Sequence, residues 1–259
     1  MWVDWMGGLD GWIGWLGFVS SHWTGFGTGC PIVRPITTHS HLRHTPHIPP
    51  NLTPASYTIY IYIPAQSLYD LLRTSEAPLA WEELKRLARQ IALGIYYLHT
   101  CRPPVLHLDL KSANVLLDEA GTAKVCDFGL AKLKQEGSAV LTQRMGSPMW
   151  TAPEVLKGEA RDEKADSYSY GMLVFELMSC RLPYADHAAA QVMMGVITNL
   201  LPRPKLPAER ADLYPAEITK LMQRCWEFEA SLRPGFNEIL DELERVAREQ
   251  GLATALGLR

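Results

Sequence analysis

The sequence predicts an α+β fold that is mainly helical, and three stretches carry that expectation. Tyr57-Thr58-Ile59-Tyr60-Ile61-Tyr62-Ile63 is dense in β-branched and aromatic residues and reads as a short strand closed by Pro64. From Trp81 onward, Leu84, Leu87, Ala88, Ile91, Ile95 and Leu98 recur at helical spacing on one face. Phe236, Ile239, Leu240, Leu243 and Val246 repeat that pattern near the end of the chain. With 259 residues, 47% hydrophobic and 20% charged, the chain can build one sizeable soluble core.

Taken in order, residues 1–56 differ from the rest. Trp2, Trp5, Trp12 and Trp15 are interleaved with Gly7, Gly8, Gly11, Gly14 and Gly17, a glycine density that disfavours helix. The early charges are Asp4 and Asp10 and the apolar run is broken, so neither a secretory signal nor a membrane span is expected here. Pro31, Pro35, Pro46, Pro49, Pro50 and Pro54 then prevent regular hydrogen bonding, which reads as extended or disordered chain. His39, His41, His44 and His47 lie in this proline-broken stretch, which reads as biased composition, since it cannot hold a fixed coordination geometry.

The helix from Trp81 opens with Glu82 and Glu83, which suit the positive end of its dipole, and must stop before Pro103. Behind Cys101-Arg102-Pro103-Pro104 comes His107-Leu108-Asp109-Leu110-Lys111-Ser112-Ala113-Asn114. A tight loop there aims three side chains into one cleft: Asp109 as a base for a hydroxyl proton, Lys111 as a cation for phosphate, Asn114 as a carbonyl oxygen for Mg²⁺. Val115-Leu116-Leu117 reads as a short strand, and Glu119-Ala120-Gly121 as the turn that follows it.

Beyond that turn stands Asp127-Phe128-Gly129, and at this point the chain resembles the protein kinases, whose catalytic loop reads H-R-D-L-x-x-x-N and whose metal-binding triplet is D-F-G. Gly146-Ser147-Pro148-Met149-Trp150-Thr151-Ala152-Pro153-Glu154, Asp166-Ser167-Tyr168-Ser169-Tyr170-Gly171, Cys225-Trp226 and Arg233-Pro234 follow in the family's order. The resemblance implies a kinase-like fold, mainly the helical C-terminal lobe, with a rudimentary or absent N-terminal β lobe. It divides the chain into a low-complexity segment at 1–56, hinge and C-terminal lobe at 57–249, and a tail at 250–259. It implies ATP and Mg²⁺ as cofactors, Asp109 as base, Lys111 on the γ-phosphate, and Asn114 and Asp127 on the metal. Tyr62, Ile63 and Pro64 take the hinge positions that meet adenine, Ser67 lies near the ribose, Leu116 forms the floor under adenine, and Cys126 lines the same pocket as a small packing residue.

By the same resemblance, Phe128 to Glu154 is the activation segment, with Ser138 and Thr142 as phosphorylation candidates. Leu108 stands where kinases switched by that phosphorylation carry arginine, which argues against the same switch here. Ser147 matches the hydroxyl that bonds the catalytic aspartate and lysine, and Lys111 favours the serine/threonine class. Glu154 and Arg233 are an expected ion pair, and Asp166 an expected anchor for the catalytic-loop backbone. The spacing from Cys225-Trp226 to Arg233-Pro234, with Ala230 where proline is common, resembles the tyrosine-kinase-like group of serine/threonine kinases.

The function implied is transfer of the ATP γ-phosphate to serine or threonine hydroxyls of a protein substrate. The other reading is a catalytically inactive interaction module or truncated gene product, because the first lysine of the chain is Lys85 and the first glutamate Glu76. The family's strand lysine and helix glutamate therefore have no counterpart in their usual place, and Gly25-Phe26-Gly27-Thr28-Gly29 departs from the family's glycine loop in spacing. A net charge of −3 gives no basic footprint, so no nucleic-acid partner is implied. Five scattered cysteines without a C-x-x-C pair point to a reducing, cytoplasmic address. Neither the substrate nor the oligomeric state is encoded legibly.

Overall fold

The computed structural model describes residues 66–75, 77–127, 130–133 and 147–255. These fall within one unit, Ile63–Arg259. The predicted strand at 57–63, the hinge positions Tyr62, Ile63 and Pro64, the N-terminal lobe, and Ser138 and Thr142 lie outside the described residues.

Strand β1 (Gln66–Ser67) leads directly into helix α1 (Leu68–Thr74). Ser67 caps that helix: its hydroxyl accepts from the Asp70 N–H at 3.1 Å and donates to Asp70 Oδ2 at 2.6 Å. Helix α2 (Trp81–Thr100) has the predicted apolar face, with Leu84, Leu87, Ala88, Ile91, Ile95 and Leu98 all buried, and ends before Pro103 as expected. Strand β2 (Val105–Leu106) follows, then a 3₁₀ turn at Ser112–Asn114.

Strands β3 (Val115–Leu117) and β4 (Ala123–Val125) form a hairpin, and β1 joins β3 on its other side, all antiparallel. Asp118 closes the hairpin, its Oδ1 accepting from the N–H groups of Ala120 and Thr122 at 3.0 and 2.8 Å, while Gly121 takes a φ of 73°. Strand β5 (Lys132–Leu133) pairs with β2.

The rest is helical: α3 (Pro153–Lys157), α4 (Lys164–Ser179), α5 (Ala189–Ile197), α6 (Ala208–Ala211), α7 (Ala216–Cys225) and α8 (Phe236–Ala255). Helix α4 is the hub of the core, buried on every side from Ala165 to Ser179. Its Gly171 faces α7 so closely that a Cβ there would lie 2.9 Å from the Cβ of Cys225, which explains a glycine in mid-helix. The Tyr170 hydroxyl donates to the Ala88 carbonyl of α2 at 3.0 Å, and its ring meets Phe236 of α8 edge-on. Helix α8 buries the expected Phe236, Ile239, Leu240, Leu243 and Val246, and it continues through Gly251 to Ala255.

Arg233 and Glu154 form the expected pair, at 2.7 and 2.9 Å through both terminal nitrogens. The guanidinium also donates to the carbonyls of Glu227, Lys164 and Phe228. All five of its N–H groups are thereby satisfied, which is how a side chain only 1% exposed keeps its charge in the core.

Candidate active site

The loop from His107 to Asn114 is pinned from below by Asp166, in the first turn of α4. Its two carboxylate oxygens accept from the main-chain N–H groups of His107 and Leu108, each at 2.8 Å, and one also meets His99 Nε2 at 2.8 Å. Leu108 has a φ of 64°, a left-handed conformation that a leucine holds only when its surroundings fix it, and the two Asp166 bonds straddle that position. Burial pushes the Asp166 carboxyl up, yet His99, His107 and the bonded main chain together hold it below the ordinary carboxylate value.

His107 is fully buried, and desolvation lowers its pKa despite the nearby carboxylates. It is therefore a neutral imidazole, with the Nε2–H donating to the Cys126 carbonyl at 3.2 Å and Nδ1 accepting from the Asp109 N–H at 3.3 Å. This ring sets the direction in which Asp109 leaves the loop.

Asp109 Oδ2 accepts from Lys111 Nζ at 2.7 Å and from Asn114 Nδ2 at 2.9 Å. Among the described residues its Oδ1 has one long contact, 3.4 Å, from the Ser147 N–H. Lys111 also donates to the Ser147 hydroxyl at 3.1 Å. The Ser147 hydroxyl thus bonds the lysine as expected, whereas the aspartate is reached by the main-chain N–H, a division of labour that residue type alone does not reveal.

Asn114 gives a second bond from Nδ2 to the Asp109 carbonyl, at 2.8 Å, so its amide nitrogen is held inward. The Asn114 main-chain carbonyl accepts from the Cys126 N–H at 2.9 Å and so draws the next residue, Asp127, alongside. Asp127 is exposed and has a φ of 61°. Asn114 and Asp127 offer hard oxygen donors, and among the described residues no cluster of three or more His, Cys, Asp or Glu side chains could hold a metal. Such a sparse set fits Mg²⁺, which takes one or two protein oxygens and completes its shell with phosphate and water.

The remaining predicted positions line the sheet next to this loop. Leu116 is half-buried on β3 and lies opposite Ser67 on one side and Lys124 on the other. Burial, with Asp127 beside it, pushes the Cys126 thiol up to about 11, in line with packing and against a reactive thiolate. The Ser67 hydroxyl is engaged with Asp70, as described.

Sequence reasoning missed a second buried acid, Glu176, in the last turn of α4. It accepts from Ser112 Oγ at 2.8 Å, Arg73 Nη2 at 2.9 Å and Trp150 Nε1 at 2.7 Å, tying the His107–Asn114 loop, α1 and the segment before α3 to one carboxylate. Arg73 also donates to the Cys180 carbonyl at 2.7 Å, satisfying the end of the helix. The signal was a lone acid in the apolar run Phe175-Glu176-Leu177-Met178.

The family model described as protein tyrosine and serine/threonine kinase matches residues 37–243. A probable serine/threonine-protein kinase of Dictyostelium discoideum is 40% identical over 220 residues, covering 82% of this chain and 23% of that protein. The serine/threonine-protein kinases STY17 and STY46 of Arabidopsis thaliana are 37% and 36% identical, over 71% and 73% of this chain and 31% and 32% of their own lengths. The chain thus spans less than a third of the length of these relatives.

Proposed function

Because the chain belongs to the protein tyrosine and serine/threonine kinase family, we propose that the cleft around Asp109 serves transfer of the ATP γ-phosphate to serine or threonine hydroxyls of a protein. The observation that carries this reading is the asymmetry of the Asp109 carboxylate among the described residues: Oδ2 is fixed by Lys111 and Asn114, while Oδ1 has a 3.4 Å contact from the Ser147 N–H. A carboxylate held by one oxygen and open at the other can orient a substrate hydroxyl and take its proton. Lys111, bridging Asp109 and Ser147, places an ammonium where the phosphoryl oxygens would pass. Asn114, with its nitrogen committed to Asp109, leaves its amide oxygen to a cation shared with Asp127. Bound there, Mg²⁺ would neutralise phosphate charge. Ser67, Leu116 and Cys126 would border the nucleoside.

Residues 1–84 contain no lysine, so the strand lysine that holds the α- and β-phosphates in the family has no lysine counterpart in them. That favours a second reading, weak nucleotide binding with turnover near background. Losing one electrostatic contact to the reacting phosphate costs about 10²- to 10³-fold in rate. Residues 1–259 alone are expected to bind Mg²⁺-ATP at ~10⁻⁴ to 10⁻³ M and to phosphorylate peptides negligibly.

A radiolabelled-ATP assay beside Asp109→Asn separates the readings. Clear activity abolished by the substitution establishes the transferase and overturns the low-turnover expectation. Calorimetry tests the site itself: Asp127→Asn is expected to weaken Mg²⁺-ATP binding, and micromolar binding that ignores this substitution sinks the assignment. A reducing, cytoplasmic address fits the thiols of Cys126, Cys180 and Cys225, and no helix among the described residues is long and apolar enough to cross a membrane.

A further inference from the structure

The cleft is made from two pieces of chain: the His107–Asn114 loop, which carries Asp109 and Lys111, and the stretch from Ser147 to Ala152 that leads into α3. They meet at Ser147, whose hydroxyl accepts from Lys111 at 3.1 Å and whose N–H approaches Asp109 Oδ1 at 3.4 Å. Two such contacts, one from a flexible lysine and one at long range, do not by themselves fix a chain segment. What holds Ser147 in place lies three residues on.

Ser147-Pro148-Met149-Trp150 is a tight turn, closed by the Trp150 N–H donating to the Ser147 carbonyl at 3.0 Å, with proline where its fixed φ suits the turn. The Thr151 hydroxyl donates to the same carbonyl at 2.9 Å. Ser147 therefore goes where Trp150 goes. Trp150 is buried and is held at both ends by α4: the Ser169 hydroxyl donates to its carbonyl at 2.8 Å, and its indole N–H donates to Glu176 Oε2 at 2.7 Å. Ser169 and Glu176 are seven residues apart, about two turns along one face of that helix. Trp150 thereby spans two anchor points on the helix that is buried on every side.

The other oxygen of the same carboxylate holds the first piece of the cleft. Glu176 Oε1 accepts from the Ser112 hydroxyl at 2.8 Å, and Ser112 opens the 3₁₀ turn directly after Lys111. One carboxylate, with an oxygen on each piece, sets the separation between Lys111 and Ser147. We propose that Trp150 is a positioning residue for phosphoryl transfer, acting through Glu176 and Ser169 to hold the Ser147 hydroxyl against Lys111 and so to place that ammonium in the cleft. The purpose of this arrangement rests on the transferase reading, whereas the coupling of Trp150 to Ser147 needs no nucleotide.

The experiment uses Ser147→Cys in the full chain, which puts a thiol beside Lys111, where an adjacent ammonium lowers a thiol pKa below the ordinary ~8.5. The pH profile of iodoacetamide labelling at position 147 is read by peptide mass, apart from the five native cysteines. Adding Lys111→Met should move the profile up by about one pH unit, which calibrates the contact. Adding Trp150→Phe, which keeps an aromatic ring and removes the indole N–H, should move it up by a comparable amount and slow labelling at pH 7 about 5- to 10-fold. Ser169→Ala, which frees only the carbonyl, should move it the same way by less. A tryptophan that only fills space would leave the profile at 147 unmoved in both variants, and that result overturns the proposal; so does a profile that Lys111→Met leaves in place. If Trp150→Phe fails to fold, Ser169→Ala decides alone. The Asp109→Asn assay judges the transferase separately: an inactive chain that shows the shift loses that reading and keeps the coupling, and an active chain with an unmoved profile does the reverse.

Discussion

Helix α4 carries two buried acids, Asp166 in its first turn and Glu176 in its last, and they behave in opposite ways. Each side chain is 0% exposed and each carboxylate has three donors. Yet the Asp166 pKa is lowered against the burial that pushes it up, whereas at Glu176 burial prevails over Ser112, Trp150 and Arg73 and the pKa is raised. Donor number cannot explain this. Asp166 sits where the helix dipole favours an anion and is gripped by two main-chain N–H groups, while Glu176 sits at the unfavourable end and relies on side chains, one of them an arginine 24% exposed. A buried carboxylate stabilises a fold when the main chain is already aimed at it, and is merely tolerated when mobile side chains must be recruited.

Asp166→Ala breaks the comparison most severely. It removes the acceptor for His107 and Leu108 and leaves His99 unpaired, and it should cost about 3–5 kcal/mol in urea denaturation. Glu176→Ala is expected to cost somewhat less, about 2–4 kcal/mol, by stranding the Trp150 and Ser112 donors together with Arg73. Glu176→Gln should cost only about 1 kcal/mol, since it keeps most of the acceptor geometry and loses a charge that burial already disfavours. If the glutamine and alanine variants were equally unstable, the view of Glu176 as a tolerated charge would fail.

The two acids should also separate by pH. Asp166 has a folded pKa below its unfolded value of ~3.9, so its stabilisation is present above that value and is lost as pH falls through the folded pKa. Glu176 runs the other way: between its unfolded value of ~4.3 and its raised folded value, the folded state binds the extra proton, so its contribution falls as pH rises through that window. Glu176→Gln should therefore remove a stabilisation that wild-type protein gains on mild acidification, and Asp166→Asn should not. Denaturation midpoints from pH 7 down to ~4 would show it.

The smallest effects belong to acids outside α4. Asp109→Asn should change stability by less than about 1 kcal/mol, because the loop under it is held by Asp166. The exposed Arg89–Glu244 pair between α2 and α8, at 3.1 Å, should contribute about 0.2–1 kcal/mol and fade in salt. A large loss on breaking that pair would mean that surface charge, rather than the α4 anchors, holds the lobe.

The two acids also mark how far the sequence could be read. Asp166 was legible because its function is local to a motif, and so were the buried faces of α2 and α8, where periodicity alone selects the buried positions. The cluster around Asp109 was legible as residue types, but the His107 tautomer and the use of the Ser147 main chain depend on angles that no spacing encodes. Glu176 was not read at all. Its partners Arg73, Ser112 and Trp150 lie on separate segments, and only the folded chain brings them to one carboxylate. Nor does spacing separate Arg203 from Arg233: both are arginines followed by proline, and among the described residues only the second has a carboxylate partner, Glu154.

The close approach of α4 and α7 at Gly171 makes Cys225 an internal clock for the opening of the helical core. The thiol is fully buried, and burial pushes its pKa up to about 12, so alkylating reagents cannot meet a thiolate while the seam is shut. Cys101, Cys126 and Cys180 are only half-buried and should label ahead of it. The rate at which Cys225 reacts under native conditions then reports how often the two helices part, residue by residue and without an added probe.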